Sequence, residues 1–200
     1  MADPRFDPTK AVTFDLEHGL VHLEGAPARI VVPAEGLMSL CASAGQEAAA
    51  AFGRNLGEAI GRRIARRLAS GDQPAEVSVR EASVEVMVDQ LGGELSLTGL
   101  GSLGLERWGR ALVLVVDHCP LGRVGDSLLE SILEGAVTVA TGRPARVVGL
   151  GREEVRTRFL VTGAGAVDRV RAWIGAGTSW GEVIARLHGP TSASPRRGEA

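Results

Sequence analysis

The chain contains no tyrosine, only three tryptophans and four phenylalanines, and a single lysine, Lys10, so its basic charge is almost all arginine. Two cysteines, Cys41 and Cys119, are too few for a disulfide framework, which argues against a small secreted scaffold. No apolar run reaches the roughly 18 residues of a membrane span. The opening residues, MADPRFDPTK, carry two aspartates and no apolar core, so they do not read as a signal peptide. A net charge of −2 excludes the strongly basic balance of a polyanion binder, and a hydrophobic content of 44% excludes wholesale disorder. The expectation is a cytoplasmic protein of one domain plus an appendage, large enough at 200 residues to bury a core.

Glycine, in contrast, is abundant, with 27 residues. The stretch from Pro33 to about Gly71 reads as one long helix. Leu37, Cys41, Gly45, Ala48, Phe52, Leu56, Ile60, Ile64 and Leu68 recur in steps of three and four, which keeps one stripe on a core. Beside the stripe run Gly53, Gly57 and Gly61. Each glycine inside a helix costs roughly 1 kcal/mol against alanine. Three in register therefore imply either a second backbone crossing too closely for a Cβ, or a groove left open for a ligand. Arg62, Arg63, Arg66 and Arg67 close the helix, where cations meet the carbonyl end of the dipole. No aromatic residues interleave with them to stack on bases, so nucleic-acid binding is not expected.

Around this helix the pattern is α+β. Residues Ala11–Leu16, Leu20–Glu24 and Ala28–Val32 read as N-terminal strands. Glu81–Leu91 reads as a short helix, although Val84, Val86 and Val88 also alternate as in a strand. A glycine-rich passage from Gly92 to Gly104 leads to Leu103–Trp108, a turn at Arg107–Arg110 and a buried strand, Ala111–Asp117. Arg123–Thr141 forms a second apolar-faced helix stopped by Gly142. Arg146–Leu150 and Val155–Thr162 make an antiparallel pair across Gly151–Glu154. Two short helices, Ala166–Ile174 and Ser179–Leu187, follow, the second opened by a capping box of Ser179 and Glu182. The tail from Gly189 has a disordered composition.

Motifs of known chemistry fail on context. Gly99-Leu100-Gly101-Ser102-Leu103-Gly104 matches the dinucleotide fingerprint literally, but no helix of useful length fits before the next strand to hold a pyrophosphate. With its lone lysine at Lys10, the chain has no Walker loop, and no G-x-S-x-G elbow is present. His18, His22 and the His118–Cys119 pair lack metal-ligand spacing. Glu130 with Glu134, and Glu81 with Glu85, read as solvated helix faces. No catalytic set, metal site or cofactor is expected, and the chain is read as no enzyme.

Three segments nevertheless resemble, in order, the fold shared by bacterial 4-vinyl reductase domains and the vesicle-tethering TRAPP subunits. They are Phe52-Gly53-Arg54-Asn55-Leu56-Gly57-Glu58-Ala59-Ile60-Gly61 with Arg66–Ser70, Leu112–Leu121, and Ser127–Ala136 followed by the strand Val155–Phe159. The resemblance covers about Ala34 to Gly163. It implies a twisted antiparallel sheet against a helical layer, dimerisation through helices, and either a hydrophobic ligand held between the layers or a role in assembly. It also marks Gly53, Gly57, Gly61 and Gly135 as close-packing points. The final strand pair lacks the cysteines that many bacterial members carry, and residues 69–81 lack the acylated cysteine of TRAPP members. Neither a metal centre nor an acyl attachment transfers.

The organisation expected is an N-terminal β segment (1–33), the α+β domain (34–163), a helical extension (164–189) and a tail (190–200). The function expected is a non-enzymatic, homodimeric adaptor acting through protein contacts, with Trp173 and Trp180 as candidate anchors for a protein partner. The alternative is a sensor or carrier holding a small hydrophobic ligand between helix 37–70 and helix 123–141. Its lining would comprise Leu37, Cys41, Gly53, Leu56, Gly57, Ile60, Leu128, Ile132 and Gly135.

Overall fold

The computed structural model describes residues 5–23, 30–69 and 83–188. The chain enters through a short helix, α1 (Pro8–Ala11), and an antiparallel hairpin of β1 (Val12–Asp15) and β2 (Leu20–Leu23). Gly19, at φ 66°, supplies the left-handed turn residue, and the Asp15 carboxylate accepts the His18 backbone N–H at 3.0 Å. The expected third strand falls mostly on residues outside those described, and Ile30–Val32 are not in a strand.

The long helix is in fact two, α2 (Ala34–Ala44) and α3 (Gln46–Leu68). They part at Gly45, whose φ of 90° is open only to a residue without a Cβ. The apolar stripe runs through this position without interruption, because glycine is small enough to count as stripe and flexible enough to break it.

The ambiguous segment is a helix, α4 (Val84–Leu97). Ser83 caps it, its hydroxyl accepting the Val86 N–H at 3.3 Å. This helix continues through Gly92 and Gly93, so the glycine-rich passage is half helix and not loop. Gly93 has a packing reason: a Cβ there would overlap the Phe6 ring.

Strands β3 (Ser102–Trp108), β4 (Ala111–Asp117), β5 (Arg146–Glu153) and β6 (Arg156–Thr162) form one antiparallel sheet in the order β3-β4-β6-β5. The hairpin turns are Gly109–Arg110 and Glu154–Val155, with Gly109 at φ 61° and Glu154 at φ 50°. Helix α5 (Asp126–Thr141) joins the two hairpins after a 3₁₀ turn, and Gly142, left-handed at φ 61°, stops it. Helices α6 (Ala164–Gly175) and α7 (Trp180–His188) complete the chain, and Ser179 Oγ accepts the Glu182 N–H at 3.4 Å as its capping box requires.

Strand alternation gives the sheet two apolar faces. Leu114, Val116, Val147 and Phe159 pack on α3, α4 and α5, whereas Val113, Val115, Val148 and Leu160 pack on Val167, Val170, Val183 and Ile184 of α6 and α7. The sheet thus lies between two helical layers, and the C-terminal helices are the cover of its second face.

The glycine stair is a helix crossing. A Cβ at Gly57 would overlap the Ile132 carbonyl oxygen, and one at Gly61 would stand 2.6 Å from that of Ala136. From the other side, a Cβ at Gly135 would stand 2.5 Å from the Arg54 carbonyl. Main chain meets main chain, which is why Cβ atoms are missing on both helices.

Two carboxylates read as solvated prove structural. Strand β5 is a sheet edge, and Glu134 accepts the Val147 N–H at 3.2 Å while Glu130 accepts the Gly149 N–H at 2.8 Å. The side chains of α5 thereby satisfy edge donors that would otherwise be open to another strand. The helix-terminal arginines also depart from expectation. Arg63, 2% exposed, pairs with Glu94, which is fully buried, and Arg67 Nη2 reaches Glu94 Oε1 at 2.6 Å. These cations tie α3 to α4 instead of simply facing the dipole.

Candidate functional site

One cavity stands out by its apolar chemistry, a space of about 460 Å³ between α4 and the helical face of the sheet. Its roof is the stripe Val84, Met87, Val88 and Leu91, spaced as one side of α4. Its floor is Leu105, Leu112, Leu114 and Val161, which register side by side on β3, β4 and β6. The inner wall is Ile64 of α3 with Ala136, Val137 and Ala140 of α5, and the loop Arg143–Ala145 closes one end. The volume lies within the roughly 300–1,000 Å³ typical of small-molecule sites.

Polar groups are few. The Thr141 hydroxyl is engaged locally, donating to the Val137 carbonyl at 2.8 Å. Thr162 and Gly163 stand where β6 passes into α6, and Arg143 is the one charged residue among the described residues of the lining. Among the described residues no carboxylate, histidine or thiol belongs to it. Among the described residues no cluster of histidine, cysteine and carboxylate suits a metal ion.

Helix α4 is held from behind. Asp89 accepts the Phe6 N–H at 2.9 Å, the Phe6 ring rests on Gly93, and the Arg67 guanidinium lies 5.0 Å from that ring's centroid. With the buried Glu94 ion pairs, these contacts fix the distance between the roof and the sheet.

The residues named from the sequence sit elsewhere. Gly53, Gly57 and Gly135 lie in the α3–α5 crossing; Ile60, Leu128 and Ile132 are buried beside it at 0%, 3% and 1% exposure. Leu37, Cys41 and Leu56 belong to the same apolar cluster. None of the nine lines the cavity, which begins one helical turn further on, at Ile64 and Ala136. The groove that missing side chains would leave is occupied by the facing backbone. The α4 stripe was legible as Val84, Met87, Val88 and Leu91, but alternating valines and the Gly92–Gly93 pair obscured it.

Trp173 and Trp180 are half-buried against the second apolar cluster. The Trp180 indole N–H donates to Glu153 at 3.2 Å, its ring carries the Arg158 guanidinium at 4.6 Å, and Trp108 meets it edge-on at 5.0 Å. At the end of β4 remote from the cavity, Asp117 receives both arms of Arg156 at 2.8 and 2.9 Å, and this pairing holds its carboxyl below the ordinary carboxylate range. His118, at φ 59°, donates its backbone N–H to Val155, and Cys119 is buried. The literal glycine fingerprint runs into β3 with no helix, as its context requires. No described helix is long and apolar enough to cross a membrane.

The chain is thus a layered α+β domain with an apolar cavity under one helix. No family model matches the sequence, and the search of curated proteins finds no match. Among solved structures, the chain is similar to the phenol-responsive sensory domain of the transcription activator PoxR, crystallised with phenol, at a TM-score of 0.59. The alignment covers 84% of this chain and 92% of that one at 13% identity. At that identity the likeness is one of fold.

Proposed function

We propose that this protein is a non-enzymatic sensor or carrier of a small, mainly apolar ligand held between α4 and the sheet. The observation that carries the reading is the cavity itself, about 460 Å³ with aliphatic roof, floor and inner wall. Aliphatic walls that admit no catalytic pair favour retention of a ligand over its chemical conversion. The similarity in fold to a sensory domain supports the same reading, as does the three-segment resemblance to 4-vinyl reductase and TRAPP domains. The reading is preferred to an adaptor because the tryptophans suggested as anchors are engaged by the protein's own sheet. Homodimerisation in the cytoplasm belongs to the proposal, with exposed Leu40 and Phe52 offering an apolar patch on the outer helices.

The test is saturable binding of a neutral hydrophobic dye, N-phenyl-1-naphthylamine, read by fluorescence. Wild-type protein should bind it at one site per chain, and Val88→Trp or Ala140→Leu, which fill the cavity, should abolish binding with circular dichroism unchanged. Absence of binding by the wild type, or its persistence in both filled variants, would refute the proposal.

A further inference from the structure

We infer that the ligand is an amphipath with an anionic head, a medium-chain carboxylate in the simplest case, whose charge is met by Arg143 at the cavity's end. The inference rests on the cavity reading above and specifies which ligands that cavity prefers. Arginine is the chain's dominant cation, and most of the arginines near its core are committed. Arg63 pairs with Glu94, Arg146 with Glu134, Arg152 with Asp126, Arg156 with Asp117, and Arg158 with Glu106 and Glu153. Arg143 stands among the residues at the cavity's end, is exposed, and its guanidinium makes no hydrogen bond or ion pair among the described residues.

The loop holds Arg143 in place through its backbone. Its N–H and carbonyl both bond the Thr141 hydroxyl, at 3.2 and 3.3 Å, and Ala145 is bonded through both backbone groups to the Thr138 hydroxyl. Pro144 stiffens the link between them. The position of the residue is therefore fixed while its charge is left uncompensated. A cation at the open end of an aliphatic cavity matches a carboxylate on an alkyl chain. A pure hydrocarbon gains nothing from this cation, which stays hydrated beside it. A cationic amphipath would meet like charge. Among the described residues no carboxylate lines the cavity to compete for Arg143.

The experiment is displacement of N-phenyl-1-naphthylamine from the full chain by octanoate and by 1-octanol, which share a tail and differ in head, at low and high salt. Wild-type protein should prefer octanoate about fivefold, the size of a partly exposed charge pair, and the preference should shrink with salt. Arg143→Gln should remove the preference and leave 1-octanol binding unchanged, and Arg143→Lys should retain part of it. Equal binding of the two ligands by the wild type, or a preference that survives Arg143→Gln, would overturn the inference while leaving the apolar cavity standing. Failure of the dye itself to bind the wild type would overturn the cavity reading and this inference with it.

Discussion

Replacing Gly57 by alanine adds one methyl group where two helix backbones meet. Taken alone in a helix, the change is favourable by roughly 1 kcal/mol, because alanine has the higher helix propensity and a less flexible unfolded chain. Here the new Cβ would overlap the Ile132 carbonyl oxygen and stand 2.9 Å from the Ala136 nitrogen. Both obstacles are main chain of α5, so no side chain can rotate away, and the helices must separate along Gly53, Gly61 and Gly135 as well. Overpacking of this kind costs about 1–3 kcal/mol, and rigid neighbours place it at the upper end, near 3. Subtracting the propensity gain leaves about 2 kcal/mol of destabilisation, or a fall of about 4–8 °C in Tm for a domain of this size. Gly36→Ala in α2 is the matched control, since nothing lies within 4 Å of a Cβ there; it should be neutral or stabilising by up to about 1 kcal/mol. Urea unfolding followed by circular dichroism reads both. If Gly57→Ala is as stable as wild type, the stair is not a packing device and the close crossing of α3 and α5 is wrong.

Glu94→Ala leaves Arg63 buried without its counter-ion, so unfolding free energy in urea should fall by about 3–5 kcal/mol, whereas Arg63→Met combined with Glu94→Leu should recover most of the loss; equal stability of the single variant would mean that water reaches the pair. Burial pushes the Cys119 thiol above its ordinary value by disfavouring the thiolate. The fold therefore gains from this group below the unfolded thiol's pKa of about 8.5 and loses that gain as pH rises through the higher folded value. Folded protein at pH 8 should accordingly resist alkylation at Cys119 by iodoacetamide, mass spectrometry locating the label, and rapid labelling without unfolding would contradict the burial. Truncation after Thr162 removes α6 and α7 and exposes Val113, Val148 and Leu160, now at most 2% accessible; light scattering should show aggregation, and a monodisperse, folded fragment would show that the second face needs no cover.

Much of the architecture was legible before any coordinates. Buried strands announced themselves as continuous aliphatic runs such as Ala111–Asp117, and helix stops as glycines such as Gly142. What misled was chemistry with two uses. Gly45 belongs to the apolar stripe by size and breaks the helix by its φ of 90°. Gly92 and Gly93 look like loop, yet lie inside α4, where the Phe6 ring needs the space at Gly93. Glu130 and Glu134 have a solvent-facing spacing on their own helix, and only the arrival of an edge strand turns them into acceptors. Arg63 follows the dipole rule locally while its partner lies 31 residues further along the chain. In each case the deciding contact is distant in sequence, where periodicity and propensity carry no information.

The same distinction explains why the residues read from the sequence as a possible ligand lining lie one turn away from the cavity. A glycine stair and an open groove have the same sequence signature on one helix, and differ only in what the second helix does. Here α5 answers with its own small residues, Gly135, Ala136 and Ala140, so the two backbones close on each other and the stair becomes a rigid spine. The open space then falls beside that spine, where α4 rests chiefly on β3 and meets α3 through ion pairs. Side chains on α4 are long enough to hold it off the sheet, and the Phe6 and Glu94 contacts keep it from closing down. A close-packed pair of helices with a third helix propped beside them separates the two demands on such a domain. Stability comes from the crossing of α3 and α5 and the open space from α4, so on the proposed sensor reading a change in occupancy would be felt first by α4 and the N-terminal segment fastened to it.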